Sequence, residues 1–161
     1  MKNYASLIGL LSWFLTLSNP LIAKSADRTH QIHTSKAGPT EQNESIPNIL
    51  IAQSTSNKEL ARGISLFNSG KFTDSISAFS RVITLDPPSK IKNKALIGRA
   101  QAYLIIKQPS LAVPDLASIK YSSNETEEQG QRDLILGVAF IQLKNYNSAV
   151  KWLNQSVKLM P

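Results

Sequence analysis

The chain has 161 residues, with 18 basic and 11 acidic side chains, a formal net charge of +7 and no cysteine. This length fits one domain or a short repeat array rather than two separate cores. The lack of cysteine excludes disulfides, a thiol nucleophile and Cys-ligated zinc or iron–sulfur centres. An apolar content of 42% excludes a fully disordered chain.

The N-terminal segment has the order of features that is typical of a secretory signal peptide. Lys2 is followed by an apolar run over residues 5–17 and then by the helix-breaking pair Asn19-Pro20. As a helix, the run would span roughly 20 Å, short of the ~30 Å core of a bilayer. We therefore predict a signal peptide over residues 1–25 and export to a periplasm, to the cell exterior or to a compartment like the thylakoid lumen. The alternative is an uncleaved anchor, through which the N-terminus associates with a membrane.

Residues 26–56 are predicted to form a disordered linker, because they are polar and show no helical or alternating period. The apolar segment 46–52, IPNILIA, is either a sticky part of this linker or a short strand or plug that covers the repeats that follow. His30 and His33 have no third ligand nearby, so we predict no metal site there.

Three segments after residue 57 share one pattern at a spacing of 37 residues. Small residues at Gly63, Ala100 and Gly137 each precede a large residue by three positions, and later small and large residues recur at the same intervals. Offsets of three and four residues place side chains on one face of a helix. Each unit is therefore predicted to be a pair of helices whose small residues allow close approach. The breaks between paired helices are predicted at 68–70, 107–109 and 144–145.

This succession of small, aromatic and proline positions resembles the tetratricopeptide repeat (TPR) family. The resemblance covers residues 57–161 and implies an all-α fold, an α-solenoid of three helical hairpins over 57–88, 93–124 and 130–161. The residues on the family pattern are Gly63, Leu66, Gly70, Phe72, Phe79 and Pro87 in the first unit, Ala100, Tyr103, Ala112 and Leu116 in the second, and Gly137, Phe140, Tyr146, Ala149, Leu153 and Pro161 in the third.

The spacing exceeds the usual 34 residues of this family, so each connection is expected to be longer. We expect Ser89 to cap the helix that begins the second unit and Asn124 to cap the one that begins the third. Pro114 should delay or bend its helix. No following helix is predicted to cover the apolar residues within 152–159, which favours self-association or docking of segment 46–52.

No catalytic motif emerges from the sequence, so we predict no enzyme activity, no cofactor and no metal. Asp74, Asp86, Asp115 and Asp133 lie in separate units beside turns or helix ends, and we interpret them as capping and surface residues.

In the TPR family, as the resemblance implies, the first helix of each unit lines a concave groove that binds an extended peptide or a helix. Here the groove would be apolar with amide edges, so that amides pair with a bound backbone and apolar side chains supply contact area. Leu60, Ile97 and Leu134 fit the core between helices equally well. The groove positions are Leu60, Ile64, Phe67, Asn68, Lys94, Ile97, Gln101, Leu104, Ile105, Gln131, Leu134, Val138, Ile141 and Gln142.

These patterns predict a non-catalytic protein-interaction module that acts in an exported compartment and binds a peptide or protein partner of unknown identity. The alternative is a membrane-tethered assembly factor or scaffold. The cluster of Lys90, Lys92, Lys94 and Arg99 has no interleaved aromatic residues, so we predict no nucleic-acid binding. We interpret this cluster as a solvated face, or as one weakly attracted to anionic lipid or envelope polymer.

Overall fold

The structure, a computed structural model, describes residues 45–160, with side chains from residue 50 onward. This part of the chain contains six α-helices and no strand, which confirms the predicted all-α class. The predicted signal peptide and residues 26–44 of the predicted linker lie outside the described residues. The helices are α1 (Ser45–Asn68), α2 (Phe72–Thr84), α3 (Ser89–Ile105), α4 (Pro109–Ser118), α5 (Thr126–Gln142) and α6 (Tyr146–Leu159).

The start of α1 differs from the predicted linker. Residues 45–56 are helical, so segment 46–52 is neither a strand nor an irregular linker. Pro47 lies in the first turn, where its missing N–H breaks no helical hydrogen bond, and no further Pro or Gly follows before Gly63. Residues from Ala52 onward form one compact unit by their contacts, and it holds the packing described below.

The three predicted breaks are confirmed, and each is built in the same way. The residues Gly70, Lys107 and Lys144, spaced 37 apart, all have positive φ, at 75°, 63° and 59°. At the first break the N–H of Gly70 donates to Phe67 O, and the N–H of the next residue donates to Leu66 O at 2.9 Å. The same pair of bonds recurs after α3 and α5. These are Schellman motifs, which satisfy carbonyls left free at a helix end and reverse the chain.

Each Schellman turn joins two antiparallel helices. In the first pair, contacts run from Arg81 Nε bonding Glu59 Oε2 at 2.9 Å to an edge-to-face contact of Phe67 with Phe72 beside the turn. Residue numbers thus rise along one helix as they fall along the other. Helices α5 and α6 pair likewise, with Gly130 beside Met160 far from their turn.

Close helix approach depends on the small residues, as predicted. A Cβ added to Gly63 would lie 2.6 Å from Phe79 Cε1, and one added to Gly137 would lie 2.5 Å from Leu153 Cδ2. Gly98 contributes a contact that the sequence pattern did not reveal, because its added Cβ would lie 2.5 Å from Phe79 Cζ. The Phe79 ring is therefore held between a glycine of α1 in its own hairpin and a glycine of α3 in the next.

The core lies between successive hairpins. One buried cluster joins α1, α2 and α3, and a larger one joins α3, α4 and α5 with the residue after α4. Helices α2 and α3, α4 and α5, and also α3 and α5 are in contact, so each hairpin packs on the next. The cluster residues are Leu60, Phe79, Val82 and Ala95, and then Leu96, Ala100, Leu104, Ala112, Leu116, Ile119, Ile135, Leu136 and Ala139.

The connections between hairpins differ from the predicted caps. Ser89 is the first residue of α3 and follows a Pro88 N-cap that has no capping side chain. Glu125, rather than Asn124, precedes α5, and its Oε2 accepts from the N–H of Ser122 at 2.8 Å. Helix α5 thus has no side-chain cap, and the Glu125 carboxylate bonds to the loop before it instead.

Helix α4 begins at Pro109, as expected, and runs on through Pro114 without delay. It has only 10 residues, against 13 in α2 and 14 in α6. It ends before Ile119, whose backbone is extended.

Candidate functional site

The predicted groove positions fall into two groups in the structure. Four of them, Leu60, Phe67, Gln101 and Leu104, are buried, and the two leucines belong to the core clusters. The three apolar residues of this group therefore contribute packing rather than an open binding surface. Ile97 also packs against the larger cluster. The core interpretation that the sequence left open thus holds for Leu60 and Ile97.

The accessible members of the predicted groove are half-buried or exposed. Asn68, Ile105 and Gln142 are the last residues of α1, α3 and α5, one in each hairpin. Asn68 and Ile141 are exposed, and the others are half-buried. The half-buried positions are Ile64, Lys94, Ile97, Ile105, Gln131, Leu134, Val138 and Gln142.

Four of these accessible positions and the buried Gln101 are brought together at the C-terminal ends of α3 and α5. The side-chain Nε2 of Gln142 donates to the carbonyl oxygen of Leu104 at 3.3 Å, which holds the two helix ends side by side. We call Gln101, Ile105, Val138, Ile141 and Gln142 the α3–α5 face. It combines three apolar side chains with two amides, as the predicted groove did.

Both amides of the α3–α5 face have unsatisfied oxygens. The Oε1 atoms of Gln101 and Gln142 are buried and accept no hydrogen bond from any described residue. A buried acceptor without a donor costs about 1–3 kcal/mol, and such groups in folded proteins call for a physical explanation. Backbone N–H groups of a bound segment are donors of the required kind.

Two aspartates that we interpreted as capping and surface residues are instead buried, so that interpretation is wrong for Asp115 and Asp133. Arg99 forms two bonds to Asp115, from Nε to Oδ2 at 2.8 Å and from Nη2 to Oδ1 at 2.6 Å. Its Nη1 donates to Ser80 Oγ at 2.9 Å, which links α3 to the preceding hairpin. The hydrogen bond with Asp115 raises the pKa of the Arg99 guanidinium above its ordinary value. Sixteen residues separate the pair, so no local pattern marked it.

A second buried cation joins the end of the second hairpin to the third. Arg132 donates from Nη2 to Asp133 Oδ1 at 2.7 Å and from Nη1 to Ile119 O at 3.1 Å. Its guanidinium carbon lies 5.6 Å from the Tyr121 ring centroid and 5.9 Å from that of Trp152. Planar guanidinium groups suit such stacking. The cluster therefore fastens the extended residues after α4 to α5 and α6.

The Tyr121 hydroxyl in this cluster is expected to ionise late in an alkaline titration. It is buried without a hydrogen-bond partner among the described residues, and burial raises the pKa of Tyr121 to about 12. The folded protein then holds this proton over a pH range in which the unfolded chain has released it. Stability contributed by the neutral phenol is thus complete below pH ~10 and is lost as pH rises towards ~12.

The absorbance of tyrosinate, followed as the pH is raised, measures the ionisation of Tyr121 directly. Wild type should show one late step that is missing in Tyr121→Phe. An unchanged high-pH step in Tyr121→Phe would contradict the assignment.

No group of three or more His, Asp or Glu side chains within the described residues is arranged to hold a metal ion. Among the same residues, no helix combines the length and apolar character needed to cross a bilayer. The chain matches no protein-family model, no curated protein and no solved structure.

Proposed function

We propose that the protein is a non-catalytic interaction module, a TPR-like α-solenoid of three hairpins that binds a protein or peptide partner. The three Schellman turns at one spacing, together with the serial packing of the hairpins, support the repeat architecture. Arrays of this kind offer extended surfaces made from side chains of successive repeats.

The observation that carries the binding proposal is the composition of the α3–α5 face. Two buried amide oxygens without donors, those of Gln101 and Gln142, accompany the apolar Ile105, Val138 and Ile141. An extended segment laid across these helix ends would donate backbone N–H groups to the amides and cover the apolar side chains. Both contributions favour association, since the donors remove unpaired acceptors and the contact removes apolar area from water.

Export of this module is a proposal supported by the order of features in residues 1–25. The second candidate, a membrane-tethered assembly factor or scaffold, is favoured by the same apolar run if it remains attached. The mass of the protein isolated from its native cell separates the two, because cleavage would remove residues 1–25.

Ile141→Asp is expected to abolish partner binding without unfolding the protein. Ile141 is 46% exposed at the edge of the face, so an aspartate there places charge in the contact and little strain in the core. The free energy of unfolding of the variant should stay within about 0.5 kcal/mol of the wild-type value, as for other surface substitutions. Wild-type protein and the variant are each immobilised, and the proteins that each retains from an extract of the native cell are compared.

The matched control is Leu111→Asp. Leu111 is 47% exposed and lies on α4, the second helix of its hairpin, whereas Ile141 lies on α5, the first helix of its hairpin. Equal retention of partners by Ile141→Asp and wild type would exclude the α3–α5 face. Phe67→Asp is unsuitable as a binding test, because that ring is buried and its replacement would measure folding.

A further inference from the structure

The outer side of the last hairpin carries a continuous apolar stripe. Leu143, Tyr146, Val150 and Val157 are each between 41% and 71% exposed. Spacings of four and seven residues place Tyr146, Val150 and Val157 along one side of α6, and Leu143 is the residue that follows α5 in the turn before it. Within the predicted uncovered region 152–159, Val157 is the exposed apolar residue. We call these four residues the α6 stripe.

A corresponding position of Val150 and one of Val157 are covered in the earlier hairpins. Thirty-seven residues before Val150 lies Val113, which is half-buried and packs against the cluster shared with α5. Two repeats before Val157 lies Ile83, which packs against both core clusters. Val150 and Val157 therefore occupy positions at which an earlier hairpin packs against its neighbour, and no described helix covers them.

A row of unpaired cations borders the stripe. Residues 134–161 contain three lysines and no acidic residue. The lysines are Lys144, Lys151 and Lys158. Lys151 and Lys158, seven residues apart, lie along the same side of α6, and Lys144 lies in the turn before it. All three are exposed and none forms an ion pair with a described residue, although Lys151 Nζ lies 5.7 Å from the centroid of the Trp152 ring.

We propose that the α6 stripe is a docking site for an amphipathic helix of another protein that carries acidic residues along one edge. Its apolar side would fill the position that α3 and α5 fill on the earlier hairpins, and its carboxylates would face the lysine row. This inference rests on the proposed function, since it supplies that interaction module with a second, chemically defined partner surface.

Charge favours this occupant over an antiparallel second copy of α6 and over the N-terminal segment of the chain. Two copies of α6 packed antiparallel about a two-fold axis would bring both lysine rows to the same edge, where like charges repel. The N-terminal residues 1–44 carry four basic and three acidic side chains and therefore offer no acidic edge. A partner helix with an acidic edge satisfies both the apolar area and the cations.

Two synthetic helical peptides of about five turns test the proposal. Both carry the same leucine stripe, and one has glutamates and the other lysines along its edge. Fluorescence anisotropy with the full chain should show at least about tenfold tighter binding of the acidic peptide, weakening as salt is added. Val150→Asp should abolish binding, because the residue lies at the centre of the stripe.

Charge reversal separates specific pairing from the net charge of the protein. K144E/K151E/K158E should lose the preference for the acidic peptide and favour the lysine peptide. The control K58E/K71E/K90E makes the same change in net charge at three exposed lysines outside the last hairpin and should bind like wild type. Equal effects of the two triple variants would overturn the proposal.

The remaining occupants are separate outcomes that each overturn it. Sedimentation that shows a dimer lost in Val150→Asp would assign the stripe to a second copy. Binding to phosphatidylcholine vesicles that contain phosphatidylglycerol, with no binding of the acidic peptide, would assign it to a membrane. Neither outcome tests the proposed function as an interaction module that binds a partner at the α3–α5 face. That function fails only if Ile141→Asp leaves partner retention intact.

Discussion

Phe79→Ala is expected to lower the free energy of unfolding by about 3–5 kcal/mol, as for other buried aromatic residues. The ring is fully buried and touches Gly63 on one side and Gly98 on the other. Its removal opens a cavity at the contact between the first and second hairpins. Denaturant unfolding followed by circular dichroism measures the loss, with Phe72→Ala, at a half-buried position, as the smaller comparison.

The glycine on the other side of the ring gives a sharper test of the same contact. Gly98→Ala should destabilise the protein although alanine favours helix over glycine by about 1 kcal/mol, because its Cβ would lie 2.5 Å from Phe79 Cζ. In a Phe79→Ala background the clash is gone, so Gly98→Ala should be neutral or stabilising. Gly130→Ala is the control, since its nearest neighbour is the flexible side chain of Met160. If Gly98→Ala lowers the free energy of unfolding equally in both backgrounds, the contact with the Phe79 ring is excluded as the cause.

Asp115→Ala is expected to lower the free energy of unfolding by about 3–5 kcal/mol, the usual penalty for removing one partner of a buried ion pair. The Arg99 side chain is only 19% exposed and would keep Ser80 as its remaining hydrogen-bond partner. Thermal and denaturant unfolding measure the loss. Glu59→Ala, which breaks the more exposed pair with Arg81, should cost no more than about 1 kcal/mol.

The cause of the Asp115 effect can be separated from its size. If the loss comes from an uncompensated charge, Arg99→Met combined with Asp115→Leu should recover most of it, because apolar replacements of a buried pair are often neutral. A double variant no more stable than Asp115→Ala would contradict that explanation.

Local features of the fold could be predicted from the sequence because their causes are local. The helix breaks at 68–70, 107–109 and 144–145 follow from where the periodic pattern is interrupted, and each turn closes on its own carbonyls. The small residues at Gly63 and Gly137 mark close approach, since a Cβ at either position would clash with the partner helix.

Features that join distant residues could not be predicted in this way. The helical start at Ser45 contradicts a composition that is typical of a linker, and the Arg99–Asp115 pair joins two helices without any sequence motif. The Arg132 cluster collects residues from a loop and two helices. Such contacts depend on which helix faces meet, and periodicity alone leaves that undecided.

The sequence by itself determined the all-α class, the 37-residue spacing and the positions of the turns, because these depend on intervals along one helix. Only the tertiary structure decided which of the equivalent side chains are accessible. Phe67, Leu104 and Ile141 occupy the same position in the three units, yet the first two are buried and the third is exposed. Burial at such a position is a property of the neighbour that packs against it, and within the described residues the last hairpin has no neighbour on its outer side.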